Sequence, residues 1–126
     1  MKKLVHHHFI YQAAVNRVDL GSDAEVLLRK FLYDIVTEID MEVLIDPVLK
    51  FSKNDAWTGL IGIVTSHISF HYWTKEKYLQ LDIYSCKSFD VQKTKVFLDT
   101  FWKSSEQKII FINRESGKDF LVEKIL

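Results

Sequence analysis

The stretch from Thr58 to Tyr84 reads TGLIGIVTSHISFHYWTKEKYLQLDIY, and it decides the fold. β-branched and aromatic residues dominate this stretch, which favours strands over helices. Two polar interruptions divide it into three predicted strands, at Thr58–Val64, His67–Trp73 and Tyr78–Tyr84. Three consecutive strands joined by short connections are typical of an antiparallel sheet.

A polar loop of four residues, TKEK, follows Trp73 and joins the second and third predicted strands. The spacing predicts a hairpin in which Trp73 pairs with Tyr78. Extending the same register sets Cys86 opposite Thr65, next to Ser66. We therefore expect the thiol and the two hydroxyls to meet at one end of this hairpin.

Two helical patterns flank these strands. The sequence SDAE at Ser22–Glu25 is a capping box, which predicts that a helix begins with Ser22 as its N-cap. Apolar residues then recur at helical spacing and form one stripe: Leu28, Phe31, Leu32, Ile35, Val36 and Ile39. A second helix is predicted after Asp90, with its apolar side formed by Val91, Thr94, Phe97, Leu98, Phe101 and Trp102.

Three further strands are predicted at Leu4–Val15, Met41–Phe51 and Lys108–Ile112. The element order is then β-α-β-β-β-β-α-β. Antiparallel hairpins clustered between two helices indicate an α+β fold, a two-layer sandwich with both helices on one face of an antiparallel sheet. One proline and four glycines leave no flexible linker, so we expect a single domain over residues 1–126.

Composition excludes several classes of function. The 126 residues carry 17 basic and 17 acidic side chains, and this balance gives no electrostatic footprint for nucleic acid or an anionic membrane. The longest apolar run, Gly59–Val64, is far shorter than the ~20 residues of a membrane helix. Two lysines precede an apolar stretch near the start of the sequence, as in a signal peptide, but His6, His7 and His8 interrupt that stretch. The single cysteine, Cys86, suits a reducing compartment, so we expect a cytoplasmic protein.

The densest group of reactive side chains lies at Thr65–Trp73, with Cys86 brought near it by the hairpin. Hydroxyl, imidazole and thiol groups in one neighbourhood suit nucleophilic or proton-transfer chemistry. The competing interpretation is structural, because the same residues could simply occupy alternate positions on a half-exposed strand.

Metal binding is not expected. His67 and His71 have the spacing that chelates zinc on a helix, but on a strand they lie about 13 Å apart. Alternation along a strand would also point His7 away from His6 and His8. The sequence contains no glycine-rich phosphate-binding loop either.

The motif Ser66–Trp73, followed by Tyr78, Asp82 and Ser85–Cys86, resembles the bacterial S-adenosylmethionine decarboxylases, which are pyruvoyl enzymes. The family pattern reads roughly Glu-Ser-His-Ile-x-Ile-His-Thr-Trp-Pro-Glu, then Tyr-Ala-Ala-x-Asp and Thr-Cys-Gly. Trp57–Gly59 is also similar to the family's Val-Thr/Ser-Gly. The resemblance implies a small-molecule substrate and a homodimer with its sites at or near the interface.

The resemblance also implies a self-made cofactor. Decarboxylation of an α-amino acid needs a carbonyl that forms a Schiff base with the substrate amine, and no side chain offers one. Ser66 would attack the carbonyl of Thr65, and elimination from the resulting ester would cut the chain between them. The second fragment would begin with a pyruvoyl group derived from Ser66. The product of the decarboxylation would supply aminopropyl groups for spermidine synthesis.

Each retained residue has an implied role. His71 would remove the Cα proton of Ser66 during elimination, and the Thr58 hydroxyl would donate to the developing oxyanion. Cys86 would reprotonate the substrate carbon after carbon dioxide leaves. Two aromatic side chains are candidates for stacking on the substrate: Phe51 and Trp73.

Strand geometry constrains this site. Ser66 and His71 would lie on opposite faces of a regular strand and about 17 Å apart. Thr58 would lie about 26 Å from Ser66 along an unbroken strand. We therefore predict that the strand breaks at Thr65–Ser66, or that a second protomer contributes to the site.

Several positions depart from the family pattern, among them Thr74, which stands where the family has Pro, and Leu79–Gln80, which replace Ala-Ala. Thr65 stands where the family has Glu, Lys75 where it has Glu, and Lys87 where it has Gly. Lys75 reverses a charge that the family is expected to use in holding the nucleoside. Two alternatives therefore stay open: a pyruvoyl-dependent decarboxylase of ornithine or arginine, and an unprocessed, non-catalytic relative.

Overall fold

The computed structural model describes residues 5–18, 20–115 and 118–126. The first predicted strand included Leu4, which lies outside the described residues. The elements follow in the order β1 (His7–Val15), α1 (Ala24–Glu38), β2 (Val43–Phe51), β3 (Ala56–Ile63), β4 (Ser66–Trp73), β5 (Tyr78–Ser85), α2 (Val91–Trp102), β6 (Ser104–Asn113) and β7 (Leu121–Lys124).

All seven described strands join one antiparallel sheet with the order β2-β3-β4-β5-β1-β6-β7. The predicted α+β sandwich is confirmed, and so is the order of its first eight elements. The strand β7 was not predicted. Its side chains are all exposed, so its sequence carries no alternation, and backbone pairing with β6 holds it in place.

Alternation along the strands separates two faces of the sheet. On the core face, the helices pack over the buried residues of β1, β4 and β5, and α1 contributes Phe31, whose ring lies 5.9 Å from Phe70 and 5.3 Å from Trp102. The opposite side, which we call the open face, carries polar and aromatic side chains that include His8, Thr58, His67, Ser69, His71, Trp73, Gln80, Asp82 and Tyr84.

The predicted start of the first helix is wrong by one residue. The N-cap of α1 is Asp23, with φ −97° and ψ 14°, and its side chain makes no capping hydrogen bond. A turn in which the Ala24 N–H donates to the Gly21 carbonyl, at 3.1 Å, precedes the helix and takes Ser22 out of the N-cap position. The second helix begins after Asp90 as predicted, and Asp90 caps it by accepting from the Lys93 N–H at 3.0 Å.

No helix within the described residues is long and apolar enough to cross a membrane.

Replacing Gly59 with alanine is expected to destabilise the fold by about 1–3 kcal/mol, the usual cost of overpacking a core. A Cβ at Gly59 would stand 2.4 Å from Cε1 of Phe70 and 2.8 Å from Cδ2 of Leu49. Gly21→Ala is the matched control because nothing lies within 4 Å of its added Cβ. Urea unfolding at one protein concentration measures both variants, and equal midpoints would contradict the packing described here.

Candidate active site

A tight turn at Val64 and Thr65 separates β3 from β4, so the predicted break in the strand is present. Ile63 pairs with Ser66 across the turn, and Thr65 has a φ of 55°. A β-branched residue in the left-handed region is strained, at a cost of roughly 1–3 kcal/mol. The strained residue therefore provides the carbonyl of the Thr65–Ser66 peptide bond.

The side chains predicted to meet at this turn are in contact. Thr65 Oγ1 lies 2.6 Å from Cys86 Sγ, and the Cys86 N–H donates to Ser66 Oγ at 3.0 Å. The predicted register, with Trp73 opposite Tyr78 and Cys86 opposite Thr65, is confirmed. Ser66 is 8% exposed, so its hydroxyl is held in a largely dry position. The hydroxyl and the thiol thus flank the peptide bond proposed for cleavage.

A cavity of about 400 Å³ opens beside this turn. Its lining includes Cys86, Thr65 and Lys87. The Lys87 ammonium donates to the backbone carbonyl of Asp40 at 2.9 Å and lies 3.2 Å from its carboxylate. The lysine that replaces the family's glycine is therefore tied to the cavity wall by Asp40.

A second pair of candidates lies at the other end of the same hairpin. Thr58 is the cross-strand partner of His71, and Thr58 Oγ1 lies 3.0 Å from His71 Nδ1. His71 is exposed on the open face, with the Trp73 ring 6.0 Å away. The threonine hydroxyl orients the imidazole, and both groups remain accessible to a ligand.

The structure therefore does not assemble the predicted site within one copy of the chain. The turn brings Thr58 to His71, but it leaves both far from Ser66 and Cys86. Ser66 and His71 occupy one regular strand, five residues apart and on opposite faces, which corresponds to about 17 Å. The sequence predicted either a break in the strand or a contribution from a second protomer. The break alone does not bring His71 to Ser66.

The aromatic candidates lie at the His71 end of the sheet. Phe51 is half exposed and packs on Trp57, with 5.2 Å between ring centroids. Trp73 and Tyr78 lie 5.8 Å apart and line a cavity of about 610 Å³ together with Glu76 and Gln80. This end of the sheet offers rings, a carboxylate and an amide to a ligand.

The charge at Lys75 is paired, which sequence analysis missed. Its ammonium lies 2.8 Å from the Asp55 carboxylate on the neighbouring turn, and this hydrogen bond raises the pKa of Lys75. Glu76, the next residue, lines the cavity instead. Asp55 has a φ of 56°, a conformation that spacing and composition do not reveal.

The three consecutive histidines face different surroundings. His6 Nδ1 lies 2.6 Å from the Tyr84 hydroxyl and His8 Nε2 lies 3.8 Å from the Asp82 carboxylate, both on the open face. His7 packs on Phe111, on the core face. Within the residues that the structure describes, no group of three or more His, Cys, Asp or Glu side chains could hold a metal ion.

The amino-acid sequence of this chain is similar to those of several known proteins. The family described as S-adenosylmethionine decarboxylase matches residues 8–115. An S-adenosylmethionine decarboxylase proenzyme of Pyrococcus abyssi is 29% identical over 114 residues, which are 90% of this chain and 81% of that protein. Proenzymes of the same description from Pyrococcus horikoshii and Thermococcus kodakarensis are 34% and 32% identical, over 64% and 63% of this chain. The matched stretch spans only 56% and 54% of those two relatives.

A solved structure shares the fold. The adenosylmethionine decarboxylase from Aquifex aeolicus superposes with a TM-score of 0.71 at 18% identity, covering 94% of this chain and 97% of that one. At this identity the likeness concerns the fold, an antiparallel sheet with two helices.

Proposed function

The chain belongs to the S-adenosylmethionine decarboxylase family, and from this premise we propose that it is a carboxy-lyase that makes its own pyruvoyl group from Ser66. The observation that carries the proposal is the turn itself. It holds a strained Thr65 in front of Ser66, with the thiol of Cys86 against the Thr65 hydroxyl and the backbone N–H of Cys86 donating to Ser66 Oγ.

The cleavage proposed for this turn uses atoms of the chain. Ser66 Oγ bonds to the Thr65 carbonyl carbon, the C–N bond breaks, and the Ser66 nitrogen becomes an amine. Strain at Thr65 favours this step because breaking the peptide bond releases it. The Thr58 hydroxyl donates to the oxyanion, and His71 removes the Cα proton as the ester oxygen leaves Cβ. Water then replaces the nitrogen, which departs as ammonia.

The residues present fit the pyruvoyl group. Once formed, its carbonyl supplies the electron sink that α-decarboxylation requires. Cys86 lies beside the new N-terminus, where its thiol can donate a proton to the substrate carbon. The shallow cavity beside Thr65 gives a small substrate access to this point.

We infer that a homodimer completes the site, since one copy keeps His71 about 17 Å from Ser66. A two-fold axis that lies between two facing sheets, parallel to them and crossing above Ser69 at right angles to β4, would place the partner's copy of position 71 over His67. Position 67 is one residue from Ser66, and packed sheets lie about 10 Å apart. The open face also exposes apolar side chains, among them Leu60 at 42% and Ile110 at 37%.

The substrate we propose is S-adenosylmethionine, whose decarboxylated product feeds spermidine synthesis. The pairing of Lys75 with Asp55 supports this choice. The positive charge of Lys75, which would oppose binding of the nucleoside, is neutralised by the Asp55 carboxylate. Glu76 offers a carboxylate to the same cavity as Trp73 and Tyr78. The single cysteine, Cys86, forms no disulfide, as suits the cytoplasm, where we place the protein. We also propose that the chain is a single domain.

Release of carbon dioxide tests the substrate. The purified protein is incubated with carboxyl-labelled S-adenosylmethionine, ornithine or arginine, and we expect release from the first alone. Release from ornithine or arginine would instead identify a pyruvoyl enzyme for a smaller amino acid. A chain that stays intact and releases nothing would be a non-catalytic relative.

Replacing Cys86 with alanine is expected to separate processing from turnover. Cleavage should remain largely intact, while carbon dioxide release falls by about 100-fold or more, as is usual when a general acid is lost. Gel electrophoresis measures the cleavage and labelled carbon dioxide the turnover. A Cys86→Ala chain that turns over at the wild-type rate would remove the thiol from the mechanism.

A further inference from the structure

The first step of the proposed cleavage needs an acceptor for the Ser66 hydroxyl proton, and the identity of that acceptor rests on the proposed function. Ser66 Oγ accepts from the Cys86 N–H at 3.0 Å, which leaves the hydroxyl proton to be donated elsewhere. His71 and Thr58 are assigned to other steps and lie at the far end of the hairpin. The acceptor is therefore to be sought on the core face, the side to which Ser66 belongs.

Three polar residues form one cross-strand row on the core face. His7 pairs with Ser85 in the β1–β5 ladder, and the register of His67 opposite Tyr84 sets Ser66 opposite Ser85. Neighbouring strands lie about 4.8 Å apart. Ser85 is thus one strand away from Ser66, and His7 is two strands away, at about 10 Å between Cα atoms.

The middle residue of the row, Ser85, is completely buried. Its hydroxyl accepts from the Lys87 N–H at 3.0 Å and donates to the Lys87 carbonyl. Because a hydroxyl both accepts and donates, it can receive one proton while it passes on another. Turning it from the Lys87 carbonyl toward His7 requires rotation about one side-chain torsion.

The last residue of the row, His7, carries a nitrogen that the fold does not use. Its Nδ1 is buried and has no hydrogen-bond partner within residues 5–18, 20–115 and 118–126. Leaving such a group unpaired costs about 1–3 kcal/mol. Burial, followed by the nearby His6, lowers the pKa of His7 below 6.5, so the ring is neutral at pH 7 and Nδ1 can accept a proton.

We propose that His7 is the terminal proton acceptor for Ser66 and acts through the hydroxyl of Ser85. As Ser66 Oγ bonds to the Thr65 carbonyl carbon, its proton passes to Ser85 Oγ while the Ser85 proton passes to His7 Nδ1. As the Thr65–Ser66 C–N bond breaks, the proton returns by the same route to the leaving amine. His7 is thus a positioning residue for processing and has no part in turnover.

Chemical rescue tests this role. The wild-type chain and its His7→Ala variant are made by cell-free translation, and the rate at which the newly made, uncut chain is cleaved is followed at pH 7. We expect the variant to cleave about 100-fold more slowly, the usual loss on removing a general base. Added imidazole should restore much of the rate, because it can occupy the vacated space and accept the proton. Ser85→Ala should be slow as well, with no rescue by imidazole.

His7→Asn is the matched control. Its side-chain oxygen lies close to the position of Nδ1 and accepts a hydrogen bond but not a proton. We therefore expect it to cleave as slowly as His7→Ala, whereas recovery of the rate by asparagine would show a structural role and overturn the proposal. So would a His7→Ala chain that cleaves at the wild-type rate. A wild-type chain that never cleaves would instead remove the proposed function.

Discussion

Replacing Ser66 with alanine is expected to abolish self-cleavage completely and to leave one chain of 14.9 kDa. Without Oγ no ester can form at the Thr65 carbonyl, and without the ester nothing leaves from Cβ. The strained turn and its contact with Cys86 would persist, because Thr65 makes that contact and keeps its own side chain. Denaturing gels and intact masses of freshly purified protein measure the outcome.

Ser52→Ala provides the control for this variant. Ser52 lies in the turn before β3, where its hydroxyl bonds to Asn54 and to the Ala56 carbonyl. It has no part in the proposed chemistry, so the control should be cut like the wild type. A Ser66→Ala chain that still splits after Thr65 would mean that a contaminating protease makes the cut.

The second prediction concerns two variants that should be inert alone and active together. In a shared site, His71→Ala homodimers lack the base for elimination, and Ser66→Ala homodimers lack the nucleophile. A mixed dimer contains one complete site, formed by Ser66 of the first variant and His71 of the second. Random assortment on co-expression would place about half of the His71→Ala chains in such dimers.

The cut should fall on one variant only. With different tags on the two chains, cleavage is expected in the His71→Ala chain, although that chain carries the defect in the base. The Ser66→Ala chain should remain whole. A mixture in which both chains stay uncut would show that Ser66 and His71 must belong to the same copy, and the homodimer inferred from the open face would be wrong.

Local pattern was enough to predict most of the sheet. The polar loop after Trp73 fixed the register of a hairpin, and that register correctly placed Cys86 beside Thr65. Periodicity of two along the strands likewise separated His7 from its neighbours. These successes share a cause, because each depends on residues close in sequence or on a ladder counted from one turn.

Features that depend on distant backbone geometry were not predictable. The sequence allowed either a bend or a partner to bring His71 to Ser66. The structure shows that the bend does not, because Ser66 and His71 lie on one regular strand, β4. The ion pair of Lys75 joins two turns far apart in the chain. The one-residue error at the start of α1 came from a turn whose dihedral angles override the capping box.

The identity of the group at position 66 tests the account most directly. Intact-mass spectrometry of the freshly purified wild-type chain should show two fragments, residues 1–65 and 66–126. The second should be lighter by one ammonia than a fragment that begins with serine, because a pyruvoyl group has replaced Ser66. A fragment that begins with serine, or a single uncut chain of 14.9 kDa, would contradict the account.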